Sequence, residues 1–246
     1  MRLSGRTILI TGGSSGIGLE LGKVLAGRGN RIIACGRSKE KLDEAQASIR
    51  ELITFRCDLS QIGECRRLAA WVTEEHPSCD LMINNAAAVY TGKFLGDQGD
   101  LEALEELTRT NFQAPVILTR LLAPVLARNP KAALVYVSTG LVYVPRAQYP
   151  FYCATKAALH SFLQTLRLQL GELQLQVVEV MMPAVDTPFH GGRPPKIAIS
   201  VERAVARMVA GLEADREEIR VEGAKLLYAL SRIAPAFAFQ KINSLK

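Results

Sequence analysis

The chain has 246 residues, 48% of them hydrophobic, and a formal net charge of +6. That length and apolar content fit one large α/β domain or two small ones, and no apolar run approaches the roughly 18 residues needed to cross a bilayer. Five scattered cysteines without a Cys-x-x-Cys pair, and three histidines, argue against a disulfide framework or structural zinc, and Lys and Arg form no block of the kind that reads nucleic acid.

The start, Met1-Arg2-Leu3-Ser4-Gly5-Arg6, lacks the apolar stretch of a signal peptide, so the chain reads as soluble and cytoplasmic, with reduced thiols. A first strand, Thr7 to Thr11, runs into Thr11-Gly12-Gly13-Ser14-Ser15-Gly16-Ile17-Gly18, which opens a helix from Ile17 to Arg28. Gly12 can take a tight turn, Gly16 lets backbone approach a pyrophosphate, and Gly18 lets the helix pack closely on the sheet. The helix N-terminus offers free N–H groups to phosphate oxygens. Gly12, Ser14, Ser15, Gly16, Ile17 and Gly18 are therefore the expected dinucleotide cradle. The plainer reading is a glycine-rich loop with no ligand.

A second strand, Arg31 to Gly36, places glycine where a carboxylate would read a ribose 2′-hydroxyl, and Arg37 follows. A guanidinium can hold a 2′-phosphate, so NADP(H) is favoured over NAD(H); the alternative is that Arg37 is a solvated first-turn residue of the next helix, Lys39 to Glu51. After a third strand, Ile53 to Cys57, Asp58 and Leu59 reach the adenine, or Asp58 caps the helix Gln61 to Glu75. A fourth strand, Leu81 to Asn84, ends in Asn85-Ala86, where a cofactor ribose would lie or a plain turn would form. Then come a long helix, Glu102 to Arg128, carrying Asn111, and a fifth strand, Ala133 to Ser138. Leu141, Val142, Tyr143, Val144 and Pro145 border a pocket, joined by Tyr90, Met181, Met182 and Phe189, or serve as packing.

A helix from Phe151 to Gly171 carries Tyr152 and Lys156, four residues apart and on one face. An ammonium beside a phenol favours the phenolate and lowers the phenol pKa from about 10, toward acid–base work on a carbonyl or alcohol oxygen. Ser138 at a strand end and Tyr152 at the next helix start both face the carboxyl edge of the sheet, as the glycine turn does. A sixth strand, Gln176 to Met182, leads to Pro183-Ala184-Val185-Asp186-Thr187 and to a loop over 187–200, read as a substrate lid or an ordinary surface loop. A helix from Val201 to Glu213 and a seventh strand, Glu218 to Val221, complete a β-α alternation that predicts a doubly wound parallel sheet, a three-layer Rossmann-type fold, in one domain spanning 1–246. Arg146, His190 and Arg193 could recognise an acidic group. The basic tail over 223–246 has a stripe of Leu226, Leu227, Leu230 and Ile233, expected to pack on the domain or a second subunit rather than on a membrane surface.

This set of motifs resembles the short-chain dehydrogenase/reductase family, one-domain branch, over essentially the whole chain. Pro183 to Thr187 and the tail from Glu218 bring it nearest the DltE-like oxidoreductases. The resemblance implies that Tyr152 is the acid/base, that Lys156 binds the nicotinamide ribose, and that Ser138 holds the substrate oxygen. It also implies that Asn111 holds a water in the proton path, that Pro183, Val185 and Thr187 flank the nicotinamide carboxamide, and that the chain forms a homodimer or homotetramer. The expected substrate is an apolar small-molecule carbonyl or alcohol. A sensor or scaffold that binds NADP(H) without turnover is the other reading; retention of both Tyr152 and Lys156 speaks for turnover. Two positions depart from the family: Ala87 and Ala184 stand where it usually has glycine, and a methyl is penalised wherever φ is positive.

Overall fold

A computed structural model describes residues 1–91, 94, 100–192 and 194–244. One seven-stranded sheet runs in the order β3-β2-β1-β4-β5-β6-β7, all pairings parallel. In chain order the elements are β1 (Thr7–Thr11), α1 (Gly16–Ala26), β2 (Arg31–Gly36), α2 (Lys39–Ser48), β3 (Ile53–Arg56), α3 (Ile62–Glu75), β4 (Cys79–Asn84), α4 (Asp100–Thr108), α5 (Ala114–Leu126), β5 (Ala133–Thr139), α6 (Pro150–Leu170), β6 (Gln176–Met182), α7 (Val201–Glu213), β7 (Glu218–Arg220), α8 (Gly223–Ile233) and α9 (Pro235–Ser244). The expected strands and helices are present, with ends within about two residues except at α2, which stops at Ser48.

β1 and β5 are buried along their whole length, as strands covered on both faces must be. Leu21 and Leu25 of α1, Ala45 of α2 and Val205 to Leu212 of α7 cover one face. Leu68 and Val72 of α3, Leu118 and Leu122 of α5 and Leu159 and Leu163 of α6 cover the other. The chain reverses its winding between β1 and β4, and ligands bind at such a crossover in open α/β sheets.

The expected long helix from Glu102 to Arg128 is not uniform. A π turn, Arg109–Gln113, separates α4 from α5. Pro115 explains it: proline has no N–H for the Asn111 carbonyl four residues back, and its ring would clash there. The Ala114 N–H reaches instead to Arg109. All five cysteines are buried and unpaired. No helix among the described residues is long and apolar enough to cross a membrane.

Candidate active site

Thr11, read from sequence only as a strand end, organises the crossover. Its hydroxyl accepts the N–H groups of Asn85 and Ala86, each at 3.0 Å. The Asn85 amide donates back to the carbonyls of Thr11 (2.9 Å) and Gly12 (3.2 Å). Asn85 thus fixes the shape of the glycine turn, and its amide donors are spent on backbone. Gly12 and Gly16 have φ of 64° and 52°, a region that favours glycine. A Cβ on Gly18 would stand 2.3 Å from the Gly12 carbonyl oxygen. Gly18 is therefore required by the turn itself rather than by the sheet; the close approach to β2 falls to Gly13, whose Cβ would lie 2.7 Å from that of Ala34. Ser15 is the N-cap of α1 and makes no side-chain cap bond; Ser14 Oγ lies against Gly36; Ile17 packs on the core below.

Arg37 projects into solvent and pairs with Glu106 at 3.0 Å. Asp58 Oδ1 accepts from the N–H (3.0 Å) and hydroxyl (2.9 Å) of Ser60; it does not cap α3 as expected, because Gln61 is the N-cap and no side chain bonds there. Leu59 is buried beside it.

Ser138, near the end of β5, has a buried Oγ with no hydrogen-bond partner among the described residues. Such a group normally finds a partner, and this hydroxyl is free to take one from outside the chain. Lys156 is buried, and its Nζ donates to the carbonyl of Val137, next to Ser138, at 2.9 Å. Its Nζ lies 6.0 Å from the centre of the Tyr152 ring. Burial pulls the Lys156 amine down to about 8, with the Glu179 carboxylate opposing. Burial pushes the Tyr152 phenol well above its usual 10, Cys153 adds to the rise, and the Thr139 hydroxyl pulls the other way. This corrects the expected lowering. Desolvation outweighs a neighbouring cation whose own proton is weakened and whose ammonium is bonded to a carbonyl.

Asn111 sits in the π turn with no exposed surface. Its Oδ1 accepts the Ala88 N–H at 2.8 Å, and its Nδ2 donates to the Ala88 carbonyl at 2.9 Å and to Thr155 Oγ1 at 3.2 Å. The side chain is committed to the chain after β4 and to α6. Asn111→Ala leaves both Ala88 groups unpaired; we expect it to destabilise the fold by about 3 kcal/mol. Denaturant unfolding checks this, and an unchanged midpoint refutes the clamp.

Pro183, Val185 and Thr187 follow β6. Val185 is buried and bridges to Ile199, and the Asp186 N–H donates to the Ile199 carbonyl at 2.9 Å. Both ends of the 187–200 loop are therefore pinned together. The Thr187 side chain lies against Gly16, where a Cβ would stand 3.3 Å away. The Phe189 ring meets the Tyr152 ring edge-on at 5.6 Å. One contiguous path thus links glycine turn, loop, Tyr152 and the end of β5. A cavity of about 550 Å³ opens beside it, lined by Asp186, Thr187, Pro188, Gly191, Gly192 and Pro194. Neither Ala87 nor Ala184 has positive φ, so the two family departures carry no backbone penalty.

Part of the expected pocket wall serves another purpose. Leu141, Tyr143 and Val144 pack against Leu227, Leu230, Ala238 and Ile242 of the tail, and Met181 and Met182 lie in the core. The tail's apolar stripe is split: Leu227 and Leu230 face the domain, while Leu226 and Ile233 are exposed. Tyr90 stacks on Phe151 at 6.3 Å. Arg146 lies over the Tyr149 ring, burial lowers the His190 pKa, and Arg193 lies outside the described residues.

The short chain dehydrogenase family matches residues 6–197. The uncharacterized oxidoreductase DltE of Bacillus subtilis (strain 168) is 41% identical over 231 residues, 91% of this chain and 92% of that protein. A short chain dehydrogenase from Burkholderia cenocepacia J2315, solved in complex with NADP, superposes with a TM-score of 0.87 at 24% identity, covering 98% of this chain and 99% of that one. A short-chain dehydrogenase from Sphingobium yanoikuyae in complex with NADPH gives 0.83 at 25% identity, with 98% of each chain covered.

Proposed function

The chain belongs to the short chain dehydrogenase family, and from that premise we propose that it is an NADP(H)-dependent oxidoreductase that interconverts a carbonyl and a secondary alcohol on a largely apolar small molecule. The observation that carries this reading is the unpartnered, buried Ser138 Oγ between the residues that meet Tyr152 and Lys156. The glycine turn fits a dinucleotide: Gly12, Gly16 and Gly18 hold the turn against Asn85, Ala86 and Thr187 in a shape that side chains would break, and the α1 N-terminus offers free N–H groups to a pyrophosphate. When bound, NADP(H) supplies or accepts the hydride.

The roles of the chain's own residues follow from chemistry. Ser138 donates a hydrogen bond to the substrate oxygen and stabilises the charge that develops there. Tyr152, whose phenol burial keeps protonated, gives its proton to that oxygen in the reductive direction. Lys156 holds the nicotinamide ribose and offsets negative charge on the phenolate left behind. Thr187 and Phe189 bring the loop over 187–200 across the site as a lid that excludes water. Gly12, Ser14, Ser15, Gly16, Ile17, Gly18, Leu59, Asn85, Ala86, Pro183 and Val185 form the surrounding nucleotide bed.

The preference for NADP(H) rests on Gly36 and Arg37. The exposed Arg37–Glu106 pair costs at most about 1 kcal/mol to open, whereas a bidentate bond to a 2′-phosphate is worth about 2 kcal/mol. Arg37→Ser should raise the KM for NADPH about fivefold or more and leave that for NADH nearly unchanged. Equal KM values for the two nucleotides in the unaltered enzyme would refute the preference. The proposed assembly is a homodimer or homotetramer, supported by the exposed Leu121 of α5 and Leu168 of α6. A cytoplasmic setting accords with five unpaired thiols.

A further inference from the structure

Glu179 stands in the middle of β6 with no exposed surface. Its Oε2 accepts a hydrogen bond from His160 Nδ1 at 2.7 Å, and Arg167 Nη2 lies 3.9 Å from the same oxygen. Its Oε1 has no partner among the described residues. A carboxylate so buried and half satisfied is costly, and natural folds retain such a group where its charge is used. Nothing in the proposed chemistry so far uses it.

Two independent routes lead from Glu179 to Lys156. Along α6, His160 follows Lys156 by four residues and so shares its face. Across the sheet, Val137 pairs with Val180, the residue after Glu179, and the Val137 carbonyl is the one that receives the Lys156 ammonium. Helix and sheet thus bring carboxylate and amine into one buried layer. Lys156 has no carboxylate within ion-pair distance among the described residues, and its ammonium donates to the neutral Val137 carbonyl.

We propose that Glu179 is the positioning counter-charge that keeps the buried Lys156 amine protonated, and that His160 holds the carboxylate in place for that purpose. The proposal deepens the reaction given above and rests on the same assignment of Lys156. Its electrostatics agree: burial lowers the Lys156 pKa to about 8, and the one charge raising it is Glu179. The other charged groups on this side largely pair among themselves. Arg167 of α6 reaches Glu218 of β7 at 3.5 Å, and Arg220 of β7 bonds both Glu218 and the Tyr143 hydroxyl, the latter at 3.0 Å. The Tyr143 ring in turn meets the His160 ring edge-on at 5.6 Å. The Glu179 bond raises the His160 pKa. Below that pKa, His160 carries a charge that offsets part of the carboxylate; above it, the carboxylate acts on Lys156 undiminished.

The test is an NMR titration of the Lys156 side chain in the full-length protein without added nucleotide. Glu179→Gln keeps the shape and the acceptor for His160 but removes the charge. We expect the Lys156 midpoint to fall by about one pH unit or more, and the alkaline limb of the pH–kcat profile to move down with it. Glu179→Asp should restore most of the midpoint. An unmoved midpoint in a folded Glu179→Gln protein overturns the proposal. If that variant does not fold, His160→Gln takes its place: a lowered midpoint supports the proposal and an unmoved one rejects it. The titration needs no turnover, so its outcome is separable from any failure of the reductase reading.

Discussion

Tyr152→Phe lowers carbonyl reduction by about 1,000-fold, read as NADPH consumption over a panel of ketones and aldehydes, and leaves the melting temperature within a few degrees of the parent. The phenolic hydroxyl is the one group at the site with both a proton to give and an environment that keeps it there: burial holds the phenol above its usual range, and only Thr139 opposes. Phenylalanine preserves the ring contact with Phe189, so packing is conserved while the proton is lost. The residual rate reflects positioning by Ser138 and the nucleotide cleft, which the substitution leaves intact. Turnover undiminished in this variant would falsify the assignment. The sensor reading makes a different forecast: tight NADPH binding in the parent protein with no oxidation on any substrate of the panel.

Gly18→Ala should destabilise the protein by about 3 kcal/mol and lower its melting temperature by roughly 10 °C, with loss of nucleotide binding at concentrations that saturate the parent. The added methyl would stand 2.3 Å from the Gly12 carbonyl oxygen and 2.5 Å from Asn85 Nδ2. Neither is the end of a flexible side chain. The carbonyl belongs to the turn, and the amide is held by Thr11 and Gly12, so relief requires moving the cradle. Gly63→Ala is the internal control: nothing lies within 4 Å of its Cβ, and alanine in α3 should stabilise by about 0.5 kcal/mol. Equal stability of the two variants would show that the turn relaxes freely and that Gly18 is not required by its geometry.

The strands were legible because a doubly covered parallel sheet demands nearly unbroken β-branched and apolar runs, and Thr7 to Thr11 and Ala133 to Val137 supply them. The order of Ser138, Tyr152 and Lys156 on strand end and helix start was equally readable. The π turn at Asn111 was not, since α and π turns share the same apolar spacing over a few residues; the available signal was Pro115, four residues on. The grip of Thr11 on Asn85 was hidden because it depends on β1 lying beside β4, a neighbour distant in sequence. Thr155, which receives the Asn111 amide, was concealed likewise. The His160–Glu179 bond has a clue in the sequence: a carboxylate inside the run Val177-Val178-Glu179-Val180 has no water to turn to. The fall of the Tyr152 pKa expected from Lys156 failed because spacing along a helix reports adjacency but says nothing of desolvation, which dominates here.

The five buried thiols have a practical corollary. Burial raises Cys35 and Cys79 to about 12 and Cys65 to about 11, and lifts Cys57 and Cys153 as well. Alkylating agents attack the deprotonated sulfur, so at neutral pH the intact molecule offers them almost no target. Each label added by iodoacetamide therefore records an opening event, and a mass spectrum of partially alkylated protein is a built-in gauge of how often the face that holds Cys35, Cys57, Cys65 and Cys79 comes apart.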